Sequence, residues 1–123
     1  MKHQESKEQQ ALIAWSDIYY DKKLKLTLKN FLFAIPNGGK RNVLEAARLK
    51  KEGVRAGVPD LFLALPSNKY HGLFIEMKST FGRLTEHQKK YIKLLTDQNY
   101  KCVVCRSWVE AKDAILNYLE ANK

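Results

Sequence analysis

Gly57-Val58-Pro59-Asp60-Leu61-Phe62-Leu63-Ala64-Leu65, followed after a polar turn by Gly72-Leu73-Phe74-Ile75-Glu76-Met77-Lys78, is the stretch that decides how this chain folds. Both runs are rich in large apolar residues and bounded by Gly and Pro, which reads as two buried strands. Side chains alternate along a strand, so Glu76 and Lys78 share one face and Met77 points to the other. If the loop from Pro66 to Gly72 closes a symmetric hairpin, Leu65 pairs with Leu73. Asp60 then falls opposite Lys78 and diagonal to Glu76. Diagonal neighbours lie about 7–8 Å apart, close enough for two carboxylates to share one cation.

The triplet Glu-x-Lys is not informative by itself. It occurs three times, as Glu5-Ser6-Lys7, Glu76-Met77-Lys78 and Glu110-Ala111-Lys112, as a lysine-rich composition produces by chance. Only the middle copy ends an apolar strand, where ionised groups are costly to desolvate unless they are paired or bind a metal. The outer copies belong to polar helical stretches. Spacing alone serves two readings, a cation site or an ordinary ion pair of Lys78 with Glu76 or Asp60 at a sheet edge.

With 123 residues, 45% of them hydrophobic, the chain is expected to form one domain over residues 1–123 with a substantial core. Lys and Arg outnumber Asp and Glu by 22 to 13, and a net charge of +9 points to a polyanionic partner, nucleic acid first. A solubilising excess is the plainer explanation. The charge is uneven: from Asn37 to Arg55 there are six basic residues (Lys40, Arg41, Arg48, Lys50, Lys51, Arg55) and two acidic ones (Glu45, Glu52). Met1-Lys2-His3-Gln4-Glu5 lacks the apolar core of a secretory leader, and no apolar run reaches membrane-spanning length, so a cytoplasmic protein without membrane attachment is expected. Cys102 and Cys105 form a Cys-x-x-Cys, but within the apparent strand Lys101-Cys102-Val103-Val104-Cys105 positions three apart face opposite ways. Buried free thiols are therefore expected rather than a zinc or redox pair.

The stretch from Gln4 to Tyr20 reads as an amphipathic helix with Glu5, Gln9, Leu12, Trp15 or Ser16, and Tyr19 along one stripe. Glu5 and Gln9 lead that stripe and could point toward the sheet. Glu8 shares a face with Leu12 and Trp15 and competes with Glu5, and a solvated first turn would also explain Glu5. Lysines interleave with leucines from Asp21 to Lys29, Asn30 to Ile35 reads as a strand, and Pro36-Asn37-Gly38-Gly39 as a turn. A helix from Asn42 to Glu52 stops at Gly53, with Arg48 and Lys51 along one face. After the loop Ser79-Thr80-Phe81-Gly82-Arg83, Thr85 and Gln88 make a capping-box pattern opening a helix. Gln88 also begins the stripe Gln88, Tyr91, Ile92, Leu95, so a cap and a role facing the sheet are both open. A last strand, Lys101 to Cys105, leads to a helix after Ser107 with Glu110 completing another box, and Trp108, Ala111, Ile115, Tyr118 and Leu119 available for packing. The order implies an α/β fold, a mixed sheet flanked by helices.

Four segments in this order carry a resemblance: Ile35-Pro36-Asn37-Gly38-Gly39-Lys40-Arg41, Gly53-Val54-Arg55-Ala56-Gly57-Val58-Pro59-Asp60, Gly72 to Lys78, and Gly82-Arg83-Leu84-Thr85-Glu86-His87-Gln88. Together they resemble the PD-(D/E)xK nuclease superfamily and, within it, the stand-alone VRR-NUC proteins of phages and bacteria. Val54-Arg55 takes the place of the valine and basic residue of the family name, and Ala56 stands where a second basic residue is usual. The resemblance covers nearly the whole chain. It implies a restriction-endonuclease-like sheet, and a metal-dependent DNA endonuclease working in the cytoplasm of a bacterial or phage-infected cell.

Roles follow from the resemblance position by position. Asp60, Glu76 and the main-chain oxygen of Met77 would hold Mg²⁺ or Mn²⁺, for which hard oxygen ligands are suited. Lys78 would orient or deprotonate the attacking water, a neighbouring metal favouring its neutral amine. Glu5 corresponds to the acid of the family's first helix, and Gln88 to the glutamine after the catalytic strand. Lys40, Arg41, Arg48, Lys51, Arg55 and Arg83 would meet the DNA backbone. Hydrolysis would leave 5′-phosphate and 3′-hydroxyl ends. The similarity to dimeric junction-resolving enzymes implies a homodimer cutting a four-way (Holliday) DNA junction. A flap or nicking endonuclease on the same fold is the alternative enzyme, and a basic DNA-binding module without turnover the non-enzymatic one.

Overall fold

A computed structural model describes residues 2–36 and 42–121, and within these an α/β architecture with helices on both faces of a mixed sheet. Helix α1 spans Lys2–Ile18 and buries Leu12 and Ser16. It is followed by a small antiparallel hairpin, β1 (Tyr20–Asp21) and β2 (Leu26–Thr27). The lysine- and leucine-rich segment thus turns back on itself. Asp21 Oδ1 accepts the main-chain N–H groups of Lys23 and Leu24, both at 2.9 Å, and Lys25 takes a left-handed φ of +59°. A short carboxylate side chain can close such a turn because it substitutes for a backbone carbonyl.

A single 3₁₀ turn, Leu28–Asn30, buries Leu28 and leads into β3 (Leu32–Ala34). Helix α2 (Val43–Lys51) opens where expected: Asn42 Oδ1 accepts Glu45 N–H at 2.7 Å, and the chain leaves the helix through Gly53 at φ +105°. None of its residues is buried. Then come β4 (Leu61–Leu63), β5 (Leu73–Met77), α3 (Glu86–Asp97), β6 (Lys101–Cys105) and α4 (Trp108–Glu120). The sheet order is β3-β4-β5-β6, with the first two pairings antiparallel and β5–β6 parallel. A parallel pair needs a crossover, and α3 supplies it.

Alternation splits the sheet into two chemically different faces. Leu61, Leu63, Leu73, Ile75 and Met77 join Leu12, Ala111, Ile115 and Tyr118 in the core beneath α1 and α4. Phe62 and Phe74, on the opposite face, stack at 4.4 Å and meet Tyr100 and Phe33. Cys102 and Cys105 are free thiols separated by the strand as expected, but only Cys105 is buried: it faces the core, while Cys102 lies half-buried toward α3, its Sγ 4.0 Å from Ile92 O. No helix among the described residues is long and apolar enough to cross a membrane.

The hairpin register differs from the symmetric one. Leu63, not Leu65, pairs with Leu73, and Leu61 pairs with Ile75. Continuing that register by one residue sets Asp60 opposite Glu76 rather than Lys78. The connection is longer than a symmetric loop because Leu65 and Ser67 are engaged elsewhere. Ser67 Oγ donates to Tyr118 O, Tyr118 OH donates to Leu65 O at 2.7 Å, and Ser67 and Tyr70 close the tip as an isolated bridge. Buried polar partners on α4 thus outweigh two further rungs of ladder. A shift of two residues keeps every side chain on its expected face.

Candidate active site

Glu76 is 2% exposed, a carboxylate in the second-last position of a central strand. Oε2 accepts from Gln88 Nε2 at 3.2 Å and lies 3.4 Å from Lys78 Nζ. Oε1 is buried with no hydrogen-bond partner among the described residues. Burial raises the Glu76 pKa from its ordinary 4.5 to about 7, with the neighbouring Asp60 charge adding to the rise and Lys78 opposing it. A buried, unpaired carboxylate oxygen is expensive to maintain, and such groups concentrate where chemistry needs them.

Asp60 enters from the start of β4. Its Oδ2 accepts Met77 N–H at 2.7 Å, while its main-chain oxygen accepts Ile35 N–H at 2.8 Å, so β3 and β5 hold it from both sides. In an extended strand the N–H and C=O of one residue point the same way, and Met77 O therefore looks toward the Asp60 side. Lys78 N–H is turned the other way, donating to Cys105 O at 2.9 Å on β6. Two carboxylates, one with an orphaned oxygen, beside a strand carbonyl make an all-oxygen donor set of the kind that suits Mg²⁺ or Mn²⁺. No three His, Cys, Asp or Glu side chains converge as a metal cluster among the described residues.

The question left open for Gln88 has a double answer. Thr85 Oγ1 accepts Gln88 N–H at 3.1 Å and Gln88 Oε1 accepts Thr85 N–H at 2.9 Å, a complete capping box. The amide nitrogen of the same side chain is what donates to Glu76. One residue thus fixes the start of α3 and the carboxylate beneath it. Gly57 couples α3 to Asp60 from the other direction. Its φ is +90°, and a Cβ there would stand 2.7 Å from His87 O. Gly57→Ala is expected to cost about 2 kcal/mol or more through φ strain and the clash. It should also move Asp60, and a thermal melt with and without Mg²⁺ would then show a smaller difference for the variant than for the wild type.

Helix α1 brings its N-terminal turns over the same end of the sheet. Glu5 Oε2 accepts Ser79 N–H at 3.4 Å, and Glu5, Ser6, Gln9, Gln10 and Asp60 help line an open cleft of about 480 Å³. Glu8 turns elsewhere: its Oε1 accepts Trp108 N–H at 2.7 Å and caps the first turn of α4. The two acids can be separated by mutation. Glu8→Ala is expected to lower stability by about 1 kcal/mol, as loss of a helix cap does, while cleavage per folded molecule stays near wild type. Glu5→Ala should do the reverse. An inactive, stable Glu8→Ala beside a fully active Glu5→Ala would show that Glu8 serves the site.

The basic residues are less united. Lys40 and Arg41, and the turn around Gly38 and Gly39, lie outside the described residues. Arg48 is ion-paired with Glu52 at 3.0 Å, and Arg55 donates to Lys50 O at 3.1 Å. Lys51 and Arg83 are exposed. One cation that sequence reading passed over is structurally prominent: Arg106 Nη1 donates to the carbonyls of Ser79, Thr80 and Gly82 at 2.8, 3.5 and 2.6 Å. It pins the loop that follows Lys78, and no local motif announces it. Glu110 similarly departs from its expected capping box. Ser107 accepts Glu110 N–H, but Glu110 Oε1 reaches one residue further back to Arg106 N–H.

Comparison with known proteins gives a family and a shared fold. The VRR-NUC domain family model matches residues 2–108. A solved structure described as a VRR_NUC domain protein superposes with a TM-score of 0.84 at 29% identity, over 98% of this chain and 91% of that one. No curated protein matches the chain.

Proposed function

Because this chain belongs to the VRR-NUC family of nuclease-type domains, we propose that it is a Mg²⁺- or Mn²⁺-dependent DNA endonuclease whose reaction is run by Asp60, Glu76, Lys78 and Gln88. The observation that carries the reading is the buried, unpartnered Glu76 Oε1 next to Asp60 and Lys78. An ion pair made for stability alone has no use for an orphaned oxygen.

Asp60, Glu76 and the main-chain oxygen of Met77 would hold the cation. When bound, it supplies charge stabilisation at the scissile phosphate and acidifies water. The chain's own residues do the rest. Asp60 is fixed by Met77 N–H, so the two carboxylates cannot drift apart without breaking strand contacts. Gln88 holds Glu76 Oε2, leaving Oε1 as the open donor. Lys78, 11% exposed and beside Glu76, orients the attacking water, takes its proton and offsets charge on the phosphate. Glu5 reaches the site through the cleft it shares with Asp60. Lys40, Arg41, Arg48, Lys51, Arg55 and Arg83 supply the sequence-independent attraction to phosphates.

For the substrate we favour a four-way junction cut by a homodimer. One copy carries one such carboxylate pair, and symmetric incision of opposed strands needs two. Light scattering should return a dimer. With Mg²⁺, a supercoiled cruciform plasmid should be converted to linear product by near-simultaneous cuts, in preference to linear duplex, and EDTA should stop the reaction. A monomer yielding only nicked circles would replace the junction reading by the flap or nicking one. Salt-sensitive binding with no metal-dependent cleavage would leave a DNA-binding module.

A further inference from the structure

Phe81 is 91% exposed, more than any other large apolar side chain among the described residues. It sits three positions after Lys78. A lone exposed hydrophobe is unremarkable on a surface, but the mounting of this one is not. The loop beneath it is held by two separate parts of the chain. Arg106 grips the carbonyls of Ser79, Thr80 and Gly82, and Gly82 N–H closes a turn on Ser79 O at 3.1 Å. From α1, Gln4 donates to Thr80 Oγ1 at 2.9 Å and accepts Thr80 N–H at 3.4 Å. Gly82 lies so close that an added Cβ would be 2.9 Å from Ser79 Oγ and 3.6 Å from the stem of Lys78. The fold thus braces this backbone against the catalytic lysine, and the ring it carries touches no other aromatic side chain among the described residues.

Resting on the DNA-nuclease reading, we propose that Phe81 is a stacking residue for an unpaired or unstacked nucleobase next to the scissile phosphate. An aromatic ring on a braced loop gives up little conformational freedom on binding. Stacking on a base strengthens binding on the order of tenfold irrespective of base identity. In continuous duplex the bases already stack on each other, so the ring gains only where a strand is splayed, at a branch point or flap, or where it enters as a wedge. Arg83, two residues on, offers a cation for the neighbouring phosphate. Phe81 would therefore set preference for branched over linear DNA without taking part in the chemistry.

Binding is measured in EDTA, so turnover does not enter, with splayed-arm DNA and linear duplex of the same sequence, for the wild type, Phe81→Ala and Phe81→Trp. Phe81→Ala should lose about tenfold in affinity for the splayed arm and no more than about twofold for the duplex. Phe81→Trp should keep the wild-type preference, and its added indole fluorescence should be quenched by the splayed arm and not by duplex. Equal affinities of Phe81→Ala and wild type, or equal losses on both DNAs, would overturn the proposal; the first would leave the ring to contact a protein. A wild type that binds both DNAs but never cuts with Mg²⁺ would defeat the nuclease reading separately.

Discussion

Glu76→Gln is expected to abolish cleavage and, without divalent cations at pH 8, to make the protein more stable than the wild type. The two effects share one cause. Burial and the Asp60 charge lift the Glu76 pKa to about 7. A carboxyl whose folded pKa exceeds its unfolded value contributes stability that is complete below the unfolded value of 4.5 and is lost as pH rises through about 7. Each pH unit in that window costs about 1.4 kcal/mol, on the order of 3 kcal/mol by pH 8. The amide has no such loss, although stranding the Lys78 ammonium beside it offsets part of the gain. Melts in EDTA should show the wild type falling steadily from pH 5 to pH 8 and Glu76→Gln nearly flat across the same range. Adding Mg²⁺ at pH 8 should restore the wild type, because binding the ionised carboxylate is linked to folding, and leave Glu76→Gln unmoved. If both proteins showed the same pH slope and the same Mg²⁺ response, the metal assignment would be wrong and the ion-pair reading of Glu76 and Lys78 would return.

Lys78→Ala should lower the cleavage rate by about a thousandfold, the scale of removing a positioned acid–base group together with its charge. DNA affinity should change by less than about threefold, since the +9 charge is spread over the molecule and one lysine at 11% exposure contributes little of the long-range attraction. The Mg²⁺ response in the melt should persist, because Asp60 and the Glu76 oxygens remain. That combination separates a lysine that acts on the phosphate and water from one that merely neutralises Glu76. In the latter case Lys78→Ala would still cut, and its main symptom would be a further rise in the pH at which Glu76 ionises. Full activity in this variant would sink the catalytic assignment, and Lys78→Arg, which keeps charge but is a poor proton acceptor, should recover binding contacts without recovering rate.

Much of this molecule was legible before any coordinates. Strand β5, the faces of Glu76, Met77 and Lys78, the caps at Thr85 and Ser107, and the separation of Cys102 from Cys105 all follow from period and local hydrogen-bond chemistry, which act over a few residues. Other features were out of reach. A period of two cannot distinguish registers that differ by two, so alternation put Asp60 on the right face but opposite the wrong residue. The deciding contacts, Ser67 and Leu65 with Tyr118, join residues about fifty apart in sequence. The choice between Glu5 and Glu8 is of the same kind, since both lie within a helical turn of one stripe and differ only in which distant N–H they meet, Ser79 or Trp108. Arg106 is an ordinary basic residue after a strand until the Ser79 loop folds onto it. What the sequence by itself determined is therefore the facing of Asp60, Glu76 and Lys78, because that depends on a repeat that the chain carries locally. Only the tertiary structure decided which atoms of them are satisfied and which is left open, because a hydrogen bond is settled by whichever partner the fold brings within about 3 Å, and that partner is seldom near in the chain.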